Sequence, residues 1–160
     1  MTQTETIDLA RRWPSARSFV AIGSIAIIAA GIAAAATAGM PSYLASWAVA
    51  YLVLVVGVAQ IALGLGQALL TPEMPSGRLV VGELVLFNLG SAAVLAGSLF
   101  SMPLFTAIGS ALMLIVLAVL FWATRGSTRG GWSRYAYWLL IALLFVSVFI
   151  GLLIARGRAV

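Results

Sequence analysis

Residues 18–72 read SFVAIGSIAIIAAGIAAAATAGMPSYLASWAVAYLVLVVGVAQIALGLGQALLTP, which is 55 consecutive residues without a charged side chain. Two more uncharged stretches follow, with 41 residues between Glu83 and Arg125 and 21 residues between Arg134 and Arg156. A charged side chain near the centre of a bilayer costs roughly 3 kcal/mol on insertion scales. Such long uncharged, apolar stretches therefore predict membrane spans rather than the core of a soluble domain.

The uncharged stretches divide into segments of membrane-spanning length. One helical span needs about 20 apolar residues. Gly39, Pro41 and Pro103 interrupt the longer stretches, because glycine ends helices and proline cannot continue them. A polar turn at 71–78 and a basic, Gly-rich loop from 125 to 134 separate the remaining segments. Five spans are therefore predicted, near residues 19–38, 43–70, 79–100, 104–124 and 135–155.

The predicted fold is an all-α integral membrane protein, a bundle of five transmembrane helices. The length of the chain leaves room for a single transmembrane domain at 18–156 and no second, soluble domain. We expect residues 1–17 to form an N-terminal segment that lies in the cytoplasm. Residues 157–160 then form a short C-terminal tail.

The arginines predict the orientation of the bundle. An N-terminus in the cytoplasm puts seven arginines on the inner side and only Arg156 and Arg158 on the outer side, as the positive-inside bias favours. Tyr43 and Trp47 then lie at the outer interface, and five aromatic residues lie near the inner one: Trp122, Trp132, Tyr135, Tyr137 and Trp138. Arginine without lysine, with abundant Ala, Gly and Val, suggests a GC-rich bacterial genome, so we expect a multi-pass protein of the bacterial cytoplasmic (inner) membrane.

The N-terminal region has a second interpretation as a signal peptide. Arg11, Arg12 and Arg17 precede an apolar run that ends in Ala-Thr-Ala at 36–38, which resembles a cleavage site. The apolar run is longer than the 7–15 residues of a signal-peptide core. Its length favours a retained first span.

The composition argues against most catalytic chemistry. The chain has no Cys, no His and only 8% charged residues, whereas soluble domains average about 25%. Thiolate metal sites, thiol catalysis, Ser-His chemistry and ordinary haem ligation all need residues that are missing. No pattern typical of nucleic-acid binding is present. We therefore expect a protein that is not an enzyme, with no metal, cofactor or nucleic-acid partner.

Polar residues cluster in the second and third predicted spans. Gly57, Gln60, Gly64 and Gln67 have the spacing of one helix face. A short turn predicts that the two spans are antiparallel neighbours. Matched depths then pair Gln67 with Glu83, Gln60 with Asn88, and Gly57 with Ser91. The candidate residues are thus Gln60, Gln67, Glu83, Asn88 and Ser91.

Two interpretations of these candidates stay open. Buried amides and small residues commonly hold transmembrane helices together. Alternatively, the polar groups form a path or binding site, with Glu83 as the only acid inside a predicted span. Glu83 also suits the positive end of a helix dipole, with Arg78 nearby. Glu83 and Asn88 lie about 140° apart on a helix, so only one of them can face the second span squarely.

The absence of catalytic residues and of soluble domains favours a non-catalytic role. We predict a non-catalytic accessory, assembly or stabilising subunit of a larger membrane complex. Its partners are then the lipid bilayer and other membrane subunits, or further copies of the chain. The alternative is a homo-oligomeric transporter or channel for a small solute, which uses the intramembrane polar residues.

Overall fold

The computed structural model describes residues 3–40, 42–127 and 131–157, and every regular element within them is helical. The elements are α1 (Gln3–Thr37), α2 (Tyr43–Tyr51), a π-helical segment (Leu52–Ala59), α3 (Gln60–Leu70), α4 (Gly77–Leu99), α5 (Pro103–Thr124) and α6 (Gly131–Gly157). The second span consists of α2, the π-helical segment and α3 in one continuous run. Within the described residues, five helices are long and apolar enough to cross a membrane, so the predicted all-α, five-span fold is confirmed.

The turns between spans carry the expected helix-start residues. The Ser42 hydroxyl accepts a hydrogen bond from the Ala45 N–H (3.1 Å), and the Ser76 hydroxyl accepts one from the Leu79 N–H (3.3 Å). These two serines cap the second and third spans by satisfying N–H groups that have no partner within the helix. Pro103 is the first residue of α5, where its missing N–H costs nothing.

Two helices are longer than hydropathy predicts. The first helix begins at Gln3 rather than near residue 19 and continues through Pro14. The last helix begins at Gly131 rather than near residue 135, so Arg134 belongs to α6 instead of the preceding loop. Its guanidinium donates back to the Ser127 carbonyl. Hydropathy marks only the part of a helix that meets hydrocarbon, and both helices extend beyond that part.

The spans pack as two antiparallel hairpins plus a fifth helix. The first and second spans form one hairpin, and the third and fourth form the other. The fifth span, α6, packs against α5 and against the α3 half of the second span. The second and third spans, predicted to be antiparallel neighbours, approach each other less closely than the two helices of either hairpin. Long side chains therefore mediate much of their contact.

Glycines allow the close approach within each hairpin. A Cβ atom on Gly23 would lie 2.6 Å from Ile61 and 2.9 Å from the Gly57 carbonyl oxygen. In the other hairpin, a Cβ atom on Gly109 would lie 2.6 Å from the Gly90 carbonyl oxygen. Small residues at helix crossings let backbones pack closely, which is the usual basis of helix association in membranes.

The core lies between the two hairpins and the fifth span. Buried apolar side chains from four spans meet there: Leu63, Leu70, Phe87, Met113, Val116, Leu117, Leu120, Tyr137 and Ile141. We call the end of the bundle that holds Met40 and Met102 the Met-Pro end, and the end that holds Arg12 and Arg125 the arginine end. Which end faces the cytoplasm stays a prediction from the charge bias.

Arg12 joins the first span to the end of the second. Its guanidinium is buried and donates to the carbonyl oxygens of Ala68 and Thr71, each at 2.9 Å. The last carbonyls of a helix lack partners within the helix and carry partial negative charge, so an arginine there stabilises the helix end. Arg12 therefore has a structural role in addition to its predicted effect on orientation.

Candidate polar site inside the bundle

A carboxyl–amide hydrogen bond connects the two hairpins. Gln67 Nε2 on α3 donates to Glu83 Oε2 on α4 at 2.7 Å. Glu83 is 2% exposed and Gln67 is 1% exposed. The two residues that depth matching pairs, Gln67 and Glu83, are therefore in direct contact.

Glu83 is more enclosed than its position near the start of a helix suggests. Its other carboxyl oxygen, Oε1, is buried and has no hydrogen-bond partner among the described residues. Arg78, which we expected to help to balance the carboxylate, is itself exposed. The side chain points into the bundle instead of reaching toward the headgroup region, and that leaves one acceptor unused in an apolar setting.

Tyr137 completes the wall beside this pair, and the sequence argument missed it. It is 5% exposed, and its hydroxyl donates to the Leu63 carbonyl at 3.3 Å, one turn of α3 from Gln67. Its ring packs on Gly66, where a Cβ atom would collide with it. The prediction that Tyr137 belongs to an aromatic belt is wrong, because the ring lies inside the bundle. Gly66 leaves space for the ring, but only the packing of the fifth span reveals which aromatic residue uses it.

The Gln60 amide has no hydrogen-bond partner in the part of the chain that the structure describes. The side chain is fully buried, and neither Nε2 nor Oε1 has a hydrogen-bond partner among the described residues. The expected partner, Asn88, is half-buried and donates to the Leu84 carbonyl of its own helix at 2.8 Å. The predicted pairing of Gln60 with Asn88 is therefore wrong. A short polar side chain such as that of Asn88 can bond to a carbonyl of its own helix, whereas the Gln60 amide has no partner among the described residues.

The predicted helix face of the second span contacts both the first and the third span. Gln60 and Gln67 lie at the centre of a buried arc about 160° wide, at 100° per residue. Gly64 lies toward the first span and packs on Phe19, and Gly57 packs on Ile27. Gly57 therefore faces the first span. The pairing of Gly57 with Ser91 that depth matching predicted is wrong. The expected divergence on α4 is present, with Glu83 turned toward Gln67 and Asn88 turned elsewhere.

Ser91 connects the third span to the fourth. It is 1% exposed, and its hydroxyl donates to the Met113 sulfur at 3.6 Å. The Tyr51 hydroxyl also lies beside it, contributed by the end of α2. Ser91 is thus a packing contact among three spans and lies on a different turn of α4 from the Glu83 carboxyl.

A π-helical segment leads directly into Gln60. Leu52–Ala59 follows Tyr51 and precedes α3. In a π-helix the hydrogen bonds run to the fifth residue instead of the fourth, and such segments frequently occur at functional sites. The segment alters the angle between α2 and α3 side chains, so the faces of the second span do not follow one uniform period.

The chemical range of this site is narrow. It offers one carboxyl, two primary amides and one phenol, enclosed by the apolar core. The described residues contain no group of three His, Cys, Asp or Glu side chains that could hold a metal ion. Glu83 Oε1 and the Gln60 amide can accept or donate further hydrogen bonds, so these two residues are the ones with unused capacity.

No known protein family, curated protein or solved structure shows significant similarity to this chain.

Proposed function

We propose that this small multi-pass membrane protein is a non-catalytic accessory or assembly subunit of a larger membrane complex. The observation that carries the proposal is incomplete packing of the Met-Pro half of the first span. The exposed small residues there are Ala29, Gly31, Ala34, Ala35 and Ala36, with Ile28 and Ile32 as larger side chains among them. A Cβ atom added to Gly31 would have no neighbour within 4 Å.

This surface suits a protein neighbour better than lipid. Apolar burial gives little driving force inside a bilayer, because lipid chains are as apolar as leucine. Helices there associate through close van der Waals packing, which small residues permit. The same helix already uses Gly23 in this way against the second span. We infer that the exposed continuation packs against a helix of a partner subunit.

The uneven burial of the spans agrees with this proposal. In an apolar stretch of 18 residues taken from each span, 39% of the stretch is buried in the fourth span, against 22% in the first and 17% in the fifth. The first and fifth spans are therefore peripheral and available for contact with neighbours. An accessory subunit needs such accessible helices on its periphery.

Co-purification tests the proposal. The tagged chain, extracted in mild detergent from its native membrane, should elute with larger membrane proteins in a fixed ratio. Ala34→Leu should reduce this ratio at least fivefold, because a bulky side chain separates the packed backbones. Ala111→Leu is the matched control, since Ala111 is an exposed alanine on the fourth span. Elution of the chain alone, or equal loss in both variants, would contradict the proposal.

A second function is supported by the Glu83 carboxyl. Ionisable groups inside membrane spans commonly mark proton or ion pathways, and Glu83 has a buried oxygen beside Gln67 that no described residue hydrogen-bonds. A homo-oligomeric transporter or channel would use this group together with Gln60. Dye-loaded liposomes that contain only the purified chain should then show flux of H⁺, Na⁺ or K⁺.

Glu83→Gln separates the two functions. It retains the size and hydrogen-bonding capacity of the side chain and removes only its ability to ionise. A transporter should lose its flux in Glu83→Gln and keep it in Glu73→Gln, a control in the exposed turn. Flux through liposomes of the wild-type chain would overturn the subunit proposal, and absence of flux for all three ions would overturn the transporter.

A further inference from the structure

A cavity of about 390 Å³ lies between four spans in the Met-Pro half of the bundle. Trp47 and Tyr51 from α2 form one wall, with their rings stacked at 5.4 Å between centroids. The third, fourth and fifth spans supply the other walls. Cavities of roughly 300–1,000 Å³ with apolar walls and a few polar groups are typical small-molecule sites.

Four serine and threonine hydroxyl groups from three spans line this cavity: Ser98, Thr106, Ser110 and Ser147. Ser110 is 3% exposed and Thr106 is 8% exposed. Within the described residues, none of these side chains makes a hydrogen bond, whereas Thr37, Thr71 and Thr124 each donate to the fourth carbonyl before them. The four hydroxyls therefore retain unused hydrogen-bonding capacity at one place.

The remaining wall is apolar. Val55, Val94, Leu144 and Val148 contribute aliphatic surface. Water alone in the cavity would leave these apolar side chains in contact with water, which is unfavourable. A pure hydrocarbon chain would leave the hydroxyls without hydrogen-bond partners, which costs free energy in an apolar setting. An occupant that satisfies both parts has hydrogen-bonding oxygens and an apolar body.

Two exposed lining residues indicate where the occupant comes from. Leu44 and Ile150 line the cavity, are exposed, and belong to the second and fifth spans. Exposed apolar side chains on membrane spans suit contact with lipid chains, so the cavity is accessible from the bilayer between these two spans. No charged side chain belongs to the described lining, so no described side chain there balances a charged headgroup.

We propose that this cavity binds an uncharged amphiphile from the bilayer, with a hydroxylated or ester-bearing head against the Ser/Thr cluster and an apolar chain along the aliphatic wall. The site is separate from the Glu83–Gln67 pair and from the small-residue surface of the first span. Its occupancy does not depend on which of the two proposed functions holds.

Photo-crosslinking of the full chain in phosphatidylcholine nanodiscs tests this. The probe is a monoacylglycerol with a diazirine in its acyl chain, and modified residues are mapped by peptide mass spectrometry. Labels should concentrate on the lining segments 94–98, 106–110 and 144–151. Unlabelled 1-oleoylglycerol should displace the probe, while oleate and hexadecane at equal concentration should not.

Variants of the lining distinguish a site from general contact with lipid. Ser110→Leu fills the cavity and should lower labelling at least tenfold, and Ser98→Leu is a second filling variant if the first does not fold. Ser110→Ala removes one hydroxyl and should weaken binding by roughly three- to tenfold, the effect of one neutral hydrogen bond. Ser24→Leu on the first span, outside the cavity, should leave the labelling of the lining segments unchanged. Labelling spread over all exposed helix faces, or equal displacement by oleate or hexadecane, would overturn the proposal.

Discussion

Gln67 Nε2 and Glu83 Oε2 lie 2.7 Å apart and join two hairpins whose backbones otherwise approach less closely than the helices within each hairpin. The bond is buried, so neither group has water as an alternative partner. The two residues belong to adjacent spans that run in opposite directions, which places them at the same depth. The pair is therefore both a packing contact and the point at which a carboxyl enters the core.

A double-mutant cycle on this pair should give a large coupling. Gln67→Leu should destabilise the bundle by about 1–3 kcal/mol, because it leaves the Glu83 carboxyl wholly unpaired. The double variant Gln67→Leu/Glu83→Leu should cost less than the sum of the single variants. Free energies of unfolding by SDS titration in mixed micelles measure the effect. Additive behaviour would show that the hydrogen bond has no net energetic role.

Gln60→Met should stabilise the protein. Methionine nearly preserves the length of the side chain and removes two polar atoms that have no partner in the described residues. We expect a gain of about 1–2 kcal/mol, since an unsatisfied buried polar group costs about that much. Gln67→Met is the matched control and should destabilise the bundle, because that amide is bonded. Destabilisation by Gln60→Met would indicate that the amide has a hydrogen-bond partner in the assembled protein. Loss of ion flux in the Gln60→Met variant would support the transporter.

Gly109→Ala should destabilise the third–fourth hairpin. The added Cβ atom would lie 2.6 Å from the Gly90 carbonyl oxygen and 2.7 Å from the Val94 nitrogen, and backbone atoms cannot rotate away. Overpacking of this kind typically costs about 1–3 kcal/mol. Gly82→Ala on the same hairpin meets nothing within 4 Å and should stabilise by about 0.5–1 kcal/mol through helix propensity. The same unfolding titration compares the two, and equal effects would contradict the close crossing.

Arg12→Gln should weaken the attachment of the first span. The substitution removes a charged donor from the carbonyls of Ala68 and Thr71, at a cost of about 1.5–3 kcal/mol. Arg17→Gln is the control, because Arg17 lies on the same helix and is exposed. Protease sensitivity of the turn at 71–76 provides the measurement.

N-terminal sequencing of the mature chain tests retention of the first span, which cleavage after Ala38 would contradict.

Single-cysteine labelling tests the predicted orientation. Cysteines at Ser42 and Ser101 should react with an impermeant maleimide in intact cells, and a cysteine at Ser76 should stay protected. A cysteine at Gly126, which is exposed, should also stay protected. The neighbouring Ser127 is 2% exposed, so a cysteine there would be protected on either side of the membrane and would not report the orientation. Reaction at positions 76 and 126, with protection at 42 and 101, would reverse the orientation.

Local signals in the sequence were sufficient to predict the positions of the spans and of the turns between them. The uncharged stretches, the Ser42 and Ser76 caps and the prolines act within a few residues, so their effects can be found without knowing any tertiary contact. The depth of each polar residue follows from its distance to the nearest turn. For that reason the Gln67–Glu83 contact could be anticipated from residue numbers alone.

Only tertiary packing decided which way each side chain faces. Lipid is as apolar as the core, so the hydrophobic period that identifies the inner face of a soluble helix is weak here. The π-helical segment Leu52–Ala59 also shifts the angular relation between α2 and α3. Depth matching therefore fails for Gln60 with Asn88 and for Gly57 with Ser91, and it cannot place Tyr137 inside the bundle. The meeting of four hydroxyls in one cavity depends on how separate helices are oriented about their axes, and no short segment of the chain contains that information.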